Sequence, residues 1–227
     1  MISFESVTKA FWYRGQPKYV AKDITAVIPT GAKMGILGRN GAGKSTLLAM
    51  IAGNVNPNRG MVRVTGEISW PIGLTGCIQP DMTGAQNVRF IARVYGVDTQ
   101  QLVDFVQDFA ELGTNYYEPV KTYSSGMRGR LNFGMSMGIR FNTYLLDEVH
   151  STGDAAFKRK ADELFHERMR EAGVILISHS DAQLRALCTS GAVLEHGSLT
   201  FYETIDEAIE VHNYNLRHGS PNPSHAA

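Results

Sequence analysis

The stretch GRNGAGKST at residues 38–46 constrains this chain more than any other feature. It matches G-x-x-x-x-G-K-[S/T] and stands between a strand-like KMGIL and a helix-like STLLAMIAG, the context that gives the pattern meaning. Glycines there let backbone N–H groups converge on phosphate oxygens, and the following helix start adds its dipole. Lys44 then reaches the β- and γ-phosphates and Ser45 ligates magnesium. Gly38, Asn40, Gly41, Ala42, Gly43 and Thr46 complete the cradle. Such a loop belongs at the end of a strand in an α/β P-loop NTPase core.

The rest of the pattern fits that core. Short strands and turns fill roughly the first sixty residues, and Gly53 is a candidate stop for the first helix. From about 84 to 140 the periodicity is helical, through AQNVRFIARVYG, TQQLVDFVQDFAELG and a segment opening at Ser124. TYLLDE (143–148), a helix over about 154–172, VILIS (174–178), DAQLRALC, a hairpin through Gly197 and TIDEAIEVHNY follow. Alternating strands and helices predict a mixed, partly parallel sheet with flanking helices. We expect an N-terminal antiparallel β region, an inserted α-helical subdomain near 84–140, one domain over 1–215 and a disordered tail at 216–227.

Charge narrows the partners. Lys+Arg and Asp+Glu are both 22, which gives no pull toward nucleic acid or an acidic membrane surface. The longest apolar runs are strand-sized, so membrane work needs a partner already in the bilayer. MISFESVTKAF carries an early Glu and no apolar run, against a signal peptide. Cys77 and Cys188 lack ligand-like spacing and read as reduced thiols.

Two strand ends carry further chemistry. TYLLDE finishes in two acids. Asp147 suits a hold on magnesium, directly or through an intervening ligand, and Glu148 suits a general base for a water attacking the γ-phosphate. Adjacent strand residues point to opposite faces, so two acids in series imply two tasks. VILIS ends near His179, placed to meet the γ-phosphate or orient that water.

TYSSGMRGR (122–130) starts a helix in an unusual way. Ser124 can cap it, and Met127, Leu131, Met135 and Gly138 fall near one face. Residues 119–146 contain no Asp or Glu but hold Lys121, Arg128, Arg130 and Arg140. A helix dipole disfavours positive charge at its N-terminus, and a bound anion would resolve the conflict. Residues 38–46 already cradle one set of phosphates, so this second contact points to another copy of the chain.

The ordered set VTKAF, GRNGAGKST, YSSGMRGR, YLLDE, STGD and ISH resembles the ATP-binding cassette of ABC transporters over roughly residues 1–212. The resemblance implies a head-to-tail dimer with ATP and Mg²⁺ between copies, Ser124 and Gly126 pinning the γ-phosphate held by the opposite subunit. It implies that Phe11 stacks on adenine, with Tyr13 as the alternative, and that Asp154 and Ser151 lie near the dimer seam. YSSGM, LLDEVHSTGDAAF and ISWPIGLTGCIQPDMTGAQN look most like polysaccharide exporters, capsular ones especially. That implies transport of a lipid-linked polysaccharide, an integral membrane permease, further capsule-export envelope components, and a peripheral position on the cytoplasmic face of the bacterial inner membrane.

Several positions depart from the family pattern. Ser125 and Met127 replace Gly and Gln, Val149 replaces a proline, and Leu74 stands where a glutamine that ligates magnesium normally begins a loop. Gln79 is the nearby glutamine that can replace it as a metal ligand. The competing reading is a soluble ATPase of the same fold acting on ribosomes or DNA, or an exporter with another substrate. One cassette, a short insertion and no basic excess weigh against the first.

Overall fold

The computed structural model describes residues 1–72, 78–148 and 154–219. Leu74, Cys77, Val149, Ser151 and the end of the expected tail lie outside the described residues. The chain divides into two compact units, one of residues 1–71, 141–149 and 172–227, the other of 72–140 and 150–171.

The first unit holds two sheets. β1 (Ile2–Tyr13), β2 (Gln16–Ile28) and β4 (Arg59–Val64) form a three-stranded antiparallel sheet in the order β2-β1-β4. A six-stranded sheet runs β5-β6-β7-β3-β8-β9, with β3 (Lys33–Leu37), β5 (Ile68–Ile72), β6 (Thr143–Asp147), β7 (Gly173–Ile177), β8 (Ser190–Glu195) and β9 (Ser198–Tyr202). β6, β7, β3 and β8 are parallel, and β9 returns antiparallel to β8. β6 and β7 are buried at every residue, as expected where both faces of a parallel sheet are covered.

Helix α1 (Lys44–Ile51) contributes Leu47, Leu48, Met50 and Ile51 to the core. These meet Phe4, Ile24 and Ile28 from the antiparallel sheet and Ile36, Leu145, Ile175 and Leu194 from the other. At about 1.5–3 kcal/mol per buried aliphatic side chain, this cluster anchors the phosphate loop that precedes α1. The helix stops as expected: Gly53 takes φ 75°, its N–H donates to Met50 and that of Asn54 donates to Ala49. The unit also holds α6 (Asp181–Leu187) and α7 (Ile205–His218), so the helix continues past residue 216, where a tail was expected. Cys188 is buried, and loss of solvation pushes its thiol up to about 12, which leaves it unreactive.

The second unit is helical. α2 (Gly84–Val94) begins with a reciprocal cap between Thr83 and Gln86, and α3 (Thr99–Ala110) is capped by Asp98. α4 (Ser125–Gly138) and α5 (Ala155–Glu171) complete it, so the unit takes in a helix beyond the 84–140 insertion expected. α4 departs from a one-faced amphipathic helix. Leu131, Phe133, Met135 and Met137 are all buried, because its second half packs against both α3 and α5.

Candidate functional site

The phosphate loop joins β3 to α1 and is pressed against β2. A Cβ at Gly43, whose φ is 110°, would come within 2.5 Å of Val20 Cβ, so glycine is required there on two counts. Lys44 is buried, and its Nζ donates to the carbonyls of Gly38 at 2.7 Å and Arg39 at 3.3 Å, crossing the loop it serves. Burial pulls its pKa below the ordinary 10.5, while the carboxylates of Glu148 and Asp147 act in the other direction.

A cleft of about 670 Å³ opens over this loop. Asn40, Gly41, Gly43, Lys44, Ser45 and Thr46 line one side, with Phe11 from β1. Asp147, Glu148 and His179 line it as well. Gly38 and Ala42 belong to the loop, and Gly38 supplies the carbonyl that holds Lys44.

The acid pair is arranged differently from simple strand alternation. Asp147 ends β6 and is buried, paired in register with Ile177 of β7. At Glu148 the backbone turns through φ 51°, a conformation costing a non-glycine residue about 1–2 kcal/mol. Its N–H still donates to the Ile177 carbonyl at 3.0 Å. The turn breaks the alternation, and both carboxylates line one cleft instead of opposite faces.

Glu148 Oε1 lies 3.0 Å from His179 Nε2. Both side chains are about half exposed, so the contact adds little stability and serves alignment. The loop carrying His179 is held on either side. Ser178 Oγ donates to Gln183 Oε1 at 2.7 Å, the Ser180 N–H donates to Ser178 Oγ at 3.0 Å, and Ser180 caps α6. What this cleft can do is bind an anion at the loop and take a proton from water at Glu148. The loop glycines, a buried ammonium, a hydroxyl and a buried carboxylate fit a nucleoside triphosphate with magnesium.

In the second unit, Ser124 and Gly126 border a cavity of about 310 Å³ that also includes Met127, Arg130, Glu111 and Asp154. Ser124 Oγ accepts the Met127 N–H at 3.2 Å, the expected helix cap. Arg128 folds back on its own chain: its Nε and Nη2 both donate to the Tyr123 carbonyl, at 3.1 and 3.0 Å. Gln79 is exposed on the loop before α2, its N–H and carbonyl both bonded to the side chain of Asn87. Among the described residues no group of three or more His, Cys, Asp or Glu is arranged to hold a metal ion by itself.

Lys18 and Val20 also line the cleft and escaped the sequence reading. A signal existed. Arg14 and Gly15, both with positive φ, form a two-residue turn, and counting back from it pairs Tyr13 with Gln16 and Phe11 with Lys18.

Residues 21–151 match the family model described as ABC transporter. The chain is 43% identical over 213 residues to the polysialic acid transport ATP-binding protein KpsT of Escherichia coli, covering 92% of this chain and 95% of that one. It is likewise 43% identical to the capsule polysaccharide export ATP-binding protein CtrD of Neisseria meningitidis, covering 94% and 99%. Its fold is similar to that of the ATP-binding cassette MJ0796, solved as a dimer in a post-hydrolysis state with ADP and Pi, at a TM-score of 0.70, 18% identity and 88% and 98% coverage. A phosphate loop facing an Asp-Glu strand end, in a chain that matches the family along most of its length, makes this protein a member of the ABC transporter family, one of its ATP-binding ATPase domains.

Proposed function

We propose that this chain is the ATP-hydrolysing subunit of a capsular polysaccharide exporter, at the cytoplasmic face of a bacterial inner membrane beside an integral permease. The cargo reading rests on the two relatives 43% identical along nearly their whole length, named for polysialic acid transport and capsule polysaccharide export. Among the described residues no helix is long and apolar enough to cross a membrane, so a partner would supply the path.

The Glu148–His179 contact inside the phosphate cleft carries the hydrolysis reading. Glu148 takes the proton of the attacking water, and His179 holds that carboxylate and faces the γ-phosphate. Lys44 and the loop amides bind the phosphates, and Phe11 stacks on the base. Ser45 and Asp147 would hold magnesium, with Gln79 the further candidate ligand. Magnesium supplies charge neutralisation on the phosphates when bound.

Ser124 and Gly126 complete the site of a second copy, giving a head-to-tail dimer with two nucleotides. The permease docks within residues 72–95, where Phe90 and Val94 are exposed on α2 at 49% and 59% beside Arg89 and Arg93. The decisive variant is Glu148→Gln. It should bind ATP normally, accumulate an ATP-bound dimer on a sizing column, and lose at least about 10²-fold in turnover. Ordinary turnover in that variant would remove Glu148 as the base.

A further inference from the structure

Arg130 is the second of the two arginines that open α4, and its surroundings give it a task other than phosphate binding. Its Nη2 donates to Asp154 Oδ2 at 2.6 Å and its Nη1 lies 3.8 Å from Glu111 Oε2. The guanidinium stacks over the Phe157 ring, 4.6 Å from the centroid, and the side chain is only 19% exposed. Reaching an anion would mean giving up two carboxylates and an aromatic face. Lys160 supports the same cluster through Glu111 at 2.7 Å.

Asp154 is committed on both oxygens. Oδ1 accepts the N–H groups of Phe157 at 2.9 Å and Ala156 at 3.1 Å, capping α5, while Oδ2 takes Arg130. Those amides first, and Arg130 with them, hold its carboxyl below the ordinary 3.8. Arg130 sits less than two turns after Ser124 on α4, and both border the same cavity. In the chain, only residues 149–153 separate Asp154 from Glu148.

We infer that Arg130 is a positioning residue: by clamping Asp154 it holds the start of α4, with the Ser124–Gly126 turn, against the start of α5 within the second unit. The inference rests on the proposed ATP sandwich. Loosening that clamp would misplace the Ser124–Gly126 contact to the opposite subunit's nucleotide and slow turnover there. A lysine can keep one charged contact to Asp154 but not the fork and the stacking.

The test uses Arg130→Ala, Arg130→Lys, Asp154→Asn (which keeps the α5 cap) and the Arg130→Ala/Asp154→Asn double variant of the full chain. ATP turnover at saturation, nucleotide affinity of the monomer and Tm are measured for each. Arg130→Ala should lose about tenfold in kcat with monomer affinity unchanged, and the double variant should be no worse than the poorer single, the signature of residues acting as a pair. Arg130→Lys should recover only part of the loss, through the one charged contact it keeps. Turnover within about twofold of the parent in Arg130→Ala, or losses that multiply in the double variant, would overturn the inference. A loss of monomer affinity would do so as well, by making Arg130 a nucleotide ligand in cis. Should Arg130→Ala fail to fold, the same cycle runs on Arg130→Lys and Asp154→Asn. Failure of Glu148→Gln to dimerise with ATP would instead overturn the sandwich itself.

Discussion

Lys18 reaches toward the phosphate loop from the neighbouring strand, its Nζ 3.5 Å from where a side chain at Gly41 would begin. No motif includes it. It enters the cleft because a two-residue turn pairs it with Phe11, and because the loop glycines leave room for an ammonium above them. An exposed cation near phosphate is worth on the order of 1 kcal/mol, so Lys18→Met should weaken ATP binding about fivefold and Lys18→Arg should not. Titration of a fluorescent nucleotide at low and high salt checks this, and the gap between parent and Lys18→Met should narrow as salt rises. Local pattern placed Lys44, Ser45, Asp147 and Glu148 together in the reading, since each lies in or next to a strand–loop–helix junction. It could not show that a left-handed turn at Glu148 would swing that carboxylate into the cleft with Asp147. A single φ angle is settled by the surrounding packing and by the hydrogen bond to Ile177, both contributed by residues distant in sequence.

At the scale of elements, α4 shows what local sequence can and cannot specify. Its start was legible: Ser124 caps it because a hydroxyl three residues ahead of a free N–H is a local device. Its end was not. Arg168, buried on α5, donates Nε to the Met137 carbonyl at 3.0 Å, placing a cation at the helix C-terminus from another helix. Arg168→Met leaves that carbonyl without its partner in a buried setting and should cost about 1–3 kcal/mol, read from urea denaturation. The arginines at the N-terminus follow the same logic. Charges that oppose the helix dipole are accommodated because Arg128 folds onto the Tyr123 carbonyl and Arg130 is neutralised by acids from the ends of α3 and α5. The acid-free stretch 119–146 was therefore misleading taken alone, since its counter-charges come from elsewhere in the chain.

For the whole molecule, His212 links stability to pH. It lies on α7 with Nδ1 buried and unpartnered among the described residues. Burial lowers its pKa from the ordinary 6.5. Lys44 and His179 act in the same direction, and Glu195 on β8 and Asp181 on α6 oppose. The unfolded chain then binds a proton that the native protein resists, so stability at this site is full above about 6.5 and falls as pH drops toward the folded pKa. His212→Gln should flatten the difference in unfolding free energy between pH 7.5 and 5.5, and an unchanged slope would assign the acid sensitivity to other groups. By itself the sequence determined the phosphate loop, the acid-terminated strand, the helix starts and the alternation that implies a parallel sheet, because each depends on residues a few positions apart. Only the tertiary structure decided which side chains share a cleft, which carboxylates neutralise the arginines and where the acids point. Those outcomes depend on strand order and on hydrogen bonds between distant segments, which no local spacing encodes.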